Sequence, residues 1–128
     1  MIIKNIMNKN ISHVNLQDNI KKVAKKMFAE NSTSMPVIHG DEIVGLITKN
    51  SLIRLIVNSV DPIKFNAGEV MDTPPATCKE NETIDMVHKK MDNANINDVI
   101  VVNKANKITG MVSKADMIKA QDIMQTFQ

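Results

Sequence analysis

The chain is written twice. Val70-Met71 follows Ile6-Met7 at a spacing of 64 positions, and Ile84, Val87 and Met91 follow Ile20, Val23 and Met27 at the same spacing. Asn95 matches Asn31, and Val99 to Val102 match Met35 to Ile38. From Gly45 to Gly110 the spacing is 65, because the turn from Asn103 to Lys107 carries one extra residue. A length change is least costly in a turn. Self-similarity over a whole chain constrains the fold more than any local motif, because both halves must accept one supersecondary plan. At 128 residues the chain makes one compact domain or two small halves, and buries about two thirds of its unfolded surface.

The plan is legible in the periodicities. Ile11, Val14 and Leu16 form a short extended entry, and Asp18 opens a helix. Ile20, Val23, Ala24, Met27 and Phe28 follow the i, i+3, i+4, i+7, i+8 spacing of one helical face, with Lys21, Lys22, Lys25 and Lys26 opposite. Met35 to His39 reads as a strand, with Pro36 near its start, where a missing N–H is tolerated. Gly40-Asp41-Glu42 is a tight turn, Ile43 to Ile47 the return strand, and a helix runs from about Lys49 to Asn58. Val60 to Glu69 is a connector holding Pro62 and Gly68, after which the order repeats. Each half is thus strand, helix, strand, strand, helix. The expected fold is α+β (mixed α/β): two β-α-β-β-α repeats, 1–64 and 65–128, related by a pseudo-twofold axis, with sheets packed on helices.

Composition narrows the function. Phe28, Phe65 and Phe127 are the only aromatic residues, so the stacking platforms of single-stranded nucleic-acid binders are missing. A net charge of +2 is too small to imply a polyanionic partner. The lysine run of the first helix is read as a solvated face, and nucleic-acid binding is not expected. Cys78 stands alone, which excludes an intrachain disulfide and a cysteine metal cluster and makes it a small buried hydrophobe. His13, His39 and His88 occupy unrelated repeat positions, so no metal site is expected of them. His88 takes the place of Ala24 and should border the helix interface. No nucleophile–base set stands out, so the chain is not expected to be an enzyme. A lone thiol, no signal peptide and no long apolar window fit a cytoplasmic location with no membrane span.

One turn in each half could carry chemistry. In Gly110-Met111-Val112-Ser113-Lys114-Ala115-Asp116, a strand runs into a helix with Ser113 at the N-cap and Asp116 three residues on. That is a capping-box variant, which stabilises a helix by roughly 0.5–2 kcal/mol without any ligand. The same geometry suits a nucleotide. A helix N-terminus with a hydroxyl and Lys114 favours phosphate, and a carboxylate can accept both hydroxyls of a ribose. The earlier copy, Gly45-Leu46-Ile47-Thr48-Lys49-Asn50-Ser51, has serine where Asp116 stands.

The repeat resembles a tandem pair of cystathionine-β-synthase (CBS) domains, a Bateman module. The residues that carry it are Ile6-Met7 and Val70-Met71, Met35 to Ile38 with Ile43 to Thr48, and Val99 to Val102 with Ile108 to Asp116. The family pattern is glycine, apolar, any residue, Thr or Ser, two residues, then Asp; the second half fits it fully. The resemblance implies a regulatory, non-catalytic module with no obligatory cofactor. Its ligand would be an adenine nucleotide (AMP, ADP or ATP) or S-adenosylmethionine, in a cleft between the repeats. It implies that Asp116 holds the ribose hydroxyls and that Ser113, with Lys114, holds the phosphate end. Thr77, Cys78, Val99 and Ile100 would line the adenine pocket, largely through backbone groups. Thr48, Lys49 and Ser51 would form a weaker or empty second site. The implied partners are a second copy in a homodimer and a separate effector protein.

Overall fold

The structure is a computed structural model that describes residues 1–126. After a 3₁₀ turn at Ile3–Asn5, the first repeat supplies β1 (Val14–Asn15), α1 (Ile20–Ala29), β2 (Ser34–His39), β3 (Glu42–Thr48) and α2 (Lys49–Val57). A short α3 (Ala67–Val70) follows. The second repeat gives β4 (Thr77–Lys79), α4 (Ile84–Ala94), β5 (Asp98–Val102), β6 (Ile108–Ser113) and α5 (Lys114–Thr126). Each sheet has three strands, in the orders β1-β2-β3 and β4-β5-β6, with the first pair parallel and the hairpin antiparallel. The expected mixed α+β class and the strand–helix–strand–strand–helix plan are what the chain forms.

Local chemistry sets the ends. Asn19, not Asp18, caps α1, its side chain accepting the Lys22 N–H at 2.8 Å. Thr83 does the same for α4 through the Met86 N–H at 3.2 Å. Asn31 and Asn95 both take positive φ, 51° and 55°, at the ends of α1 and α4, a backbone state asparagine tolerates better than most residues. The expected apolar face of α1 is narrower than its spacing suggested. Ile20, Val23 and Met27 are buried, whereas Phe28 is 90% exposed. One residue beyond Met27 is about 100° further round the helix, outside the stripe formed by Ile20, Val23 and Met27.

The hairpins share a device that was not legible in either half alone. Val37 pairs with Gly45 and the next residue, Ile38, with Ile43, so Val44 is an extra residue in β3. In the second sheet Val101 pairs with Gly110 and Val102 with Ile108, leaving Thr109 extra. A bulge therefore precedes each glycine and turns the strand locally. A methionine lies against each glycine. A Cβ placed on Gly45 would stand 2.7 Å from Met71 Cγ. One on Gly110 would stand 2.7 Å from Met7 Sδ and 3.0 Å from the Asn8 carbonyl oxygen. The residue after each methionine then pairs with the residue after the glycine. Asp72 and Leu46 exchange backbone bonds of 2.8 and 3.1 Å, and Asn8 and Met111 exchange bonds of 2.8 and 3.0 Å.

The two opening segments pack away from the sequence copies they begin. Ile6-Met7 and Val70-Met71 match in sequence as the starts of the halves, but each packs on the hairpin of the other repeat. One compact unit is Ser12–Pro75; the other joins Met1–Ile11 to the chain from Ala76 onward. The packing boundary thus lies at Pro75/Ala76, whereas the sequence repeat turns over at 64/65. Ala67, in what read as a bare connector, is fully buried with Val14, Val23, Met27, Met35, Val37 and Ile47. Ile3 and Met7 are buried with Cys78, Ile84, Val87, Met91 and Met117. The helix starts are tied the same way. Ala67 N–H donates to the Asp18 carbonyl (2.7 Å) and Ile20 N–H to that of Phe65 (3.0 Å). Ile3 N–H donates to the Glu82 carbonyl (2.9 Å) and Ile84 N–H to that of Met1 (3.1 Å).

Asp18 and Glu82 hold matching places before α1 and α4. The Asp18 carboxylate accepts the Asn15 N–H at 2.9 Å and pairs with Lys22 at 3.1 Å. Glu82 accepts the Lys79 N–H at 2.7 Å and pairs with Lys90. Burial alone would raise both acids, but these partners outweigh it and hold both below their ordinary values. The folded chain therefore binds fewer protons here than the unfolded chain as pH falls. The contribution is complete above the unfolded carboxylate values and is lost as pH drops through the lower folded ones. Urea midpoints should fall from about pH 5 downward, and the double variant Asp18→Asn, Glu82→Gln should flatten that slope. The glycine contacts make a second prediction. Gly45→Ala should destabilise by about 1–3 kcal/mol through overpacking, with positive coupling to Met71→Ala in a double-mutant cycle. Gly110→Ala should cost more, because its Cβ also meets backbone that cannot rotate away.

Candidate functional site

The two strand-to-helix turns can be compared atom by atom. In the second, the Asp116 N–H donates to Ser113 Oγ at 3.1 Å and the Ser113 N–H donates to Asp116 Oδ2 at 3.2 Å. This is the reciprocal capping box expected from the sequence. Lys114 N–H donates to the Asn97 carbonyl at 2.8 Å, which ties the start of α5 to the loop before β5. Asp116 lies on the exposed surface and Ser113 is half-buried. A carboxylate offers about four acceptor positions, so one bond from Ser113 leaves Asp116 able to take more. The Lys114 ammonium does not point into free space. It forms an ion pair with Asp92 on α4. The hydrogen bond from Lys114 is the main cause that holds the Asp92 carboxyl below its usual range.

The first turn is closed differently. Ser51 N–H donates to Thr48 Oγ1 at 3.1 Å, Thr48 N–H donates to Ser51 Oγ at 3.2 Å, and the two hydroxyl oxygens lie 2.9 Å apart. Ser51 is only 4% exposed. Its hydroxyl also donates to Asp72 Oδ2 at 3.3 Å, so a carboxylate does stand near this turn, supplied from after α3. Sequence comparison missed Asp72, because its repeat counterpart is Asn8 and it lies 21 positions from Ser51. Lys49 is exposed, and its backbone N–H donates to Thr33 at 2.9 Å.

The residues expected to line an adenine pocket share one sheet. Thr77 pairs with Ile100, and Ile100 with Met111 on β6. Val99 pairs with Val112, one register step from Ser113. Ile100 N–H is already given to the Ala76 carbonyl at 2.9 Å. Thr77 is exposed, whereas Val99, Ile100 and Cys78 are buried. Burial pushes the Cys78 thiol up to about 12, so it stays protonated and unreactive near neutrality. Its side chain belongs to the core, and only its backbone could face a ligand.

The remaining candidates fall into place. Lys22 is paired with Asp18, and Lys26 Nζ donates to the His13 carbonyl at 2.6 Å, so the lysine face is partly spent on its own unit. Among the described residues no cluster of three His, Cys, Asp or Glu side chains is placed to hold a metal ion. Among them, too, no helix is long and apolar enough to cross a membrane.

Known proteins resemble the chain in sequence and in fold. The family model for the CBS domain matches residues 3–58 and again 67–123. A homoserine O-acetyltransferase from Methanococcus vannielii is 31% identical over 115 residues, 88% of this chain. The chain spans only 23% of that relative's length. Among solved structures, the CBS domain pair of protein MJ0100 in complex with 5′-methylthioadenosine and S-adenosyl-L-methionine superposes with a TM-score of 0.85. It is 24% identical, over 94% of this chain and 99% of that one. CBSX2 in complex with AMP superposes at 0.83 and 15% identity, over 97% and 98% of the two chains. At these identities the likeness establishes the fold. With the family model matched once on each sequence repeat, the chain belongs to the CBS domain family.

Proposed function

We propose that this chain is a regulatory, non-catalytic module that binds an adenine nucleotide or S-adenosylmethionine at the turn from Ser113 to Asp116. The observation that carries the reading is the asymmetry of the two turns. The second presents an exposed carboxylate beside a hydroxyl at a helix start, and the first presents a buried serine already bonded to Thr48 and Asp72. Asp116 would accept the ribose hydroxyls, and Ser113 and the start of α5 would meet the phosphate end. The adenine would lie along Thr77 and Ile100, with Cys78 and Val99 offering backbone. Support comes from structural neighbours in complex with 5′-methylthioadenosine and S-adenosyl-L-methionine or with AMP. Thr48, Lys49 and Ser51 form at best a weaker site, for phosphate only.

A second reading has an observation of its own. The reciprocal bonds of Ser113 and Asp116 satisfy both side chains with no ligand present. In that reading the module serves only to bind a partner protein. Titration calorimetry separates the two. AMP, ADP, ATP or S-adenosylmethionine should bind the wild type, and Asp116→Ala should lose roughly ten- to a hundredfold in affinity. Ser51→Ala should leave affinity nearly unchanged and cost about 1 kcal/mol of stability through its broken cap. Equal affinity in wild type and Asp116→Ala would remove Asp116 from the site, and no binding by any of the four would favour the partner-only reading.

The signal must leave the module through another surface. Helix α2 exposes Ile53, Ile56 (76%) and Val57 (75%), and α5 exposes Ile118 and Ile123. We infer a homodimer that covers these faces, with a separate effector protein reading its state. Sedimentation velocity should find a dimer in the wild type and a monomer in Ile56→Glu with unchanged helix content. A wild-type monomer at high concentration would overturn this assembly.

A further inference from the structure

Five side chains clasp α4 to α5. Gln121 Nε2 donates to Asp85 Oδ1 at 2.8 Å, which turns its amide oxygen towards His88. His88 Nδ1 lies 3.0 Å from Gln121 Oε1, and this ring nitrogen carries the proton, because the amide oxygen can only accept. On its other side, His88 Nε2 stands 3.6 Å from Asp92 Oδ2. Asp92 Oδ1 takes the ammonium of Lys114. The line of contacts therefore ends on the first residue of α5, next to Ser113.

The repeat shows that this clasp belongs to one half only. Asp85, His88, Asp92, Lys114 and Gln121 correspond to Lys21, Ala24, Phe28, Lys49 and Ile56. Only the lysine is kept. The clasp is found in the repeat whose turn carries Asp116.

We propose that Lys114 is shared between Asp92 and the anionic end of the ligand, so that a phosphate-bearing ligand draws Lys114 off Asp92 and loosens the α4–α5 clasp. This rests on the reading that the ligand lies at Ser113 and Asp116. The exchange is physically easy. Lysine is a point charge on a flexible stem, and it can swing between two anions without losing a fixed geometry. The Asp92 side chain is 55% exposed, and an ion pair so wetted is weak, so it yields readily to a phosphate held by a helix N-terminus. When Lys114 leaves, Asp92 loses its ion pair, and the start of α5 loses its tie to α4, leaving the Gln121 bonds to Asp85 and His88 further along the helix. Binding at the turn is thereby converted into freedom of the helix whose exposed Ile118 and Ile123 face outward.

The test uses AMP and adenosine, which differ only in the phosphate, on the full chain. Asp92→Asn removes the competitor and should tighten AMP by roughly threefold to fivefold while leaving adenosine unchanged. Lys114→Met should weaken AMP and leave adenosine unchanged, and adding Asp92→Asn to it should bring no gain. Hydrogen exchange of the α5 amides should quicken in Asp92→Asn without ligand, and in wild type on adding AMP but not adenosine. An equal gain from Asp92→Asn in the Lys114→Met background would overturn the proposal, because a general charge effect would then suffice. So would unchanged α5 exchange. If AMP binds the wild type but Asp92→Asn leaves its affinity unchanged or weaker, the sharing of Lys114 fails and the ligand site stands. If neither compound binds the wild type, the sharing of Lys114 falls, and the site reading falls with it when ADP, ATP and S-adenosylmethionine also fail to bind.

Discussion

The contact on which the architecture depends is a methionine laid across a glycine. Met71 covers Gly45 and Met7 covers Gly110, each at a place where a Cβ would collide. The strand can accept the methionine only because a bulge one residue earlier bends it and glycine removes the side chain. The thioether is unbranched and fits such an irregular gap. Once it is seated, the next residue forms the paired backbone bonds of Asp72 with Leu46 and of Asn8 with Met111. The short turns at Ile3–Asn5 and Ala67–Val70 are then held against the starts of α4 and α1. The chain crosses between units twice as a result, and neither unit coincides with one copy of the sequence repeat.

That exchange explains what could and could not be read from the sequence. The helices α1 and α4, the hairpins and the capped turns rest on local rules. Periodicity, an asparagine or threonine cap and a glycine turn act within a few residues, so they are visible in the letters. The partner of Ile6-Met7 is more than a hundred positions away at Gly110. No local rule says whether a segment packs on its own repeat or on the other, and the internal match at Val70-Met71 points to the wrong hairpin. Phe28 failed for a related reason. Spacing defines which residues share a face, but the width of the buried stripe is set by what packs on it. Asp72 was hidden because a side chain can enter a turn from a segment that does not align with it.

The candidate site was legible to a different depth. Ser113 and Asp116 declare themselves by their spacing, and their mutual bonds follow from it. The use of Lys114 did not. A lysine beside a helix start reads as a phosphate ligand, and nothing near it in sequence announces Asp92, 22 residues upstream. Here tertiary electrostatics add to the local reading: Lys114 pairs with an anion of the protein's own, Asp92. The bland and the functional readings of the turn are consequently not exclusive. A cap that bonds its own backbone keeps the carboxylate fixed in one rotamer, and a carboxylate already oriented loses less entropy when it accepts a ribose.

The divergence of the two repeats follows one direction of chemistry. In the first, the position of Asp116 is held by Ser51, a serine buried in the unit and bonded to Thr48 and Asp72. The positions of His88, Asp92 and Gln121 are held by Ala24, Phe28 and Ile56, so the α1 and α2 surfaces are apolar where α4 and α5 are polar. The lysine of the first turn, Lys49, has Phe28 at the position that Asp92 holds for Lys114 in the repeat. On the proposed reading, a turn that holds and releases an anion gains from a competing carboxylate of modest strength. The competitor keeps the ammonium close and partly desolvated without locking it, and an exposed pair provides that balance, whereas a buried one would be too costly to break.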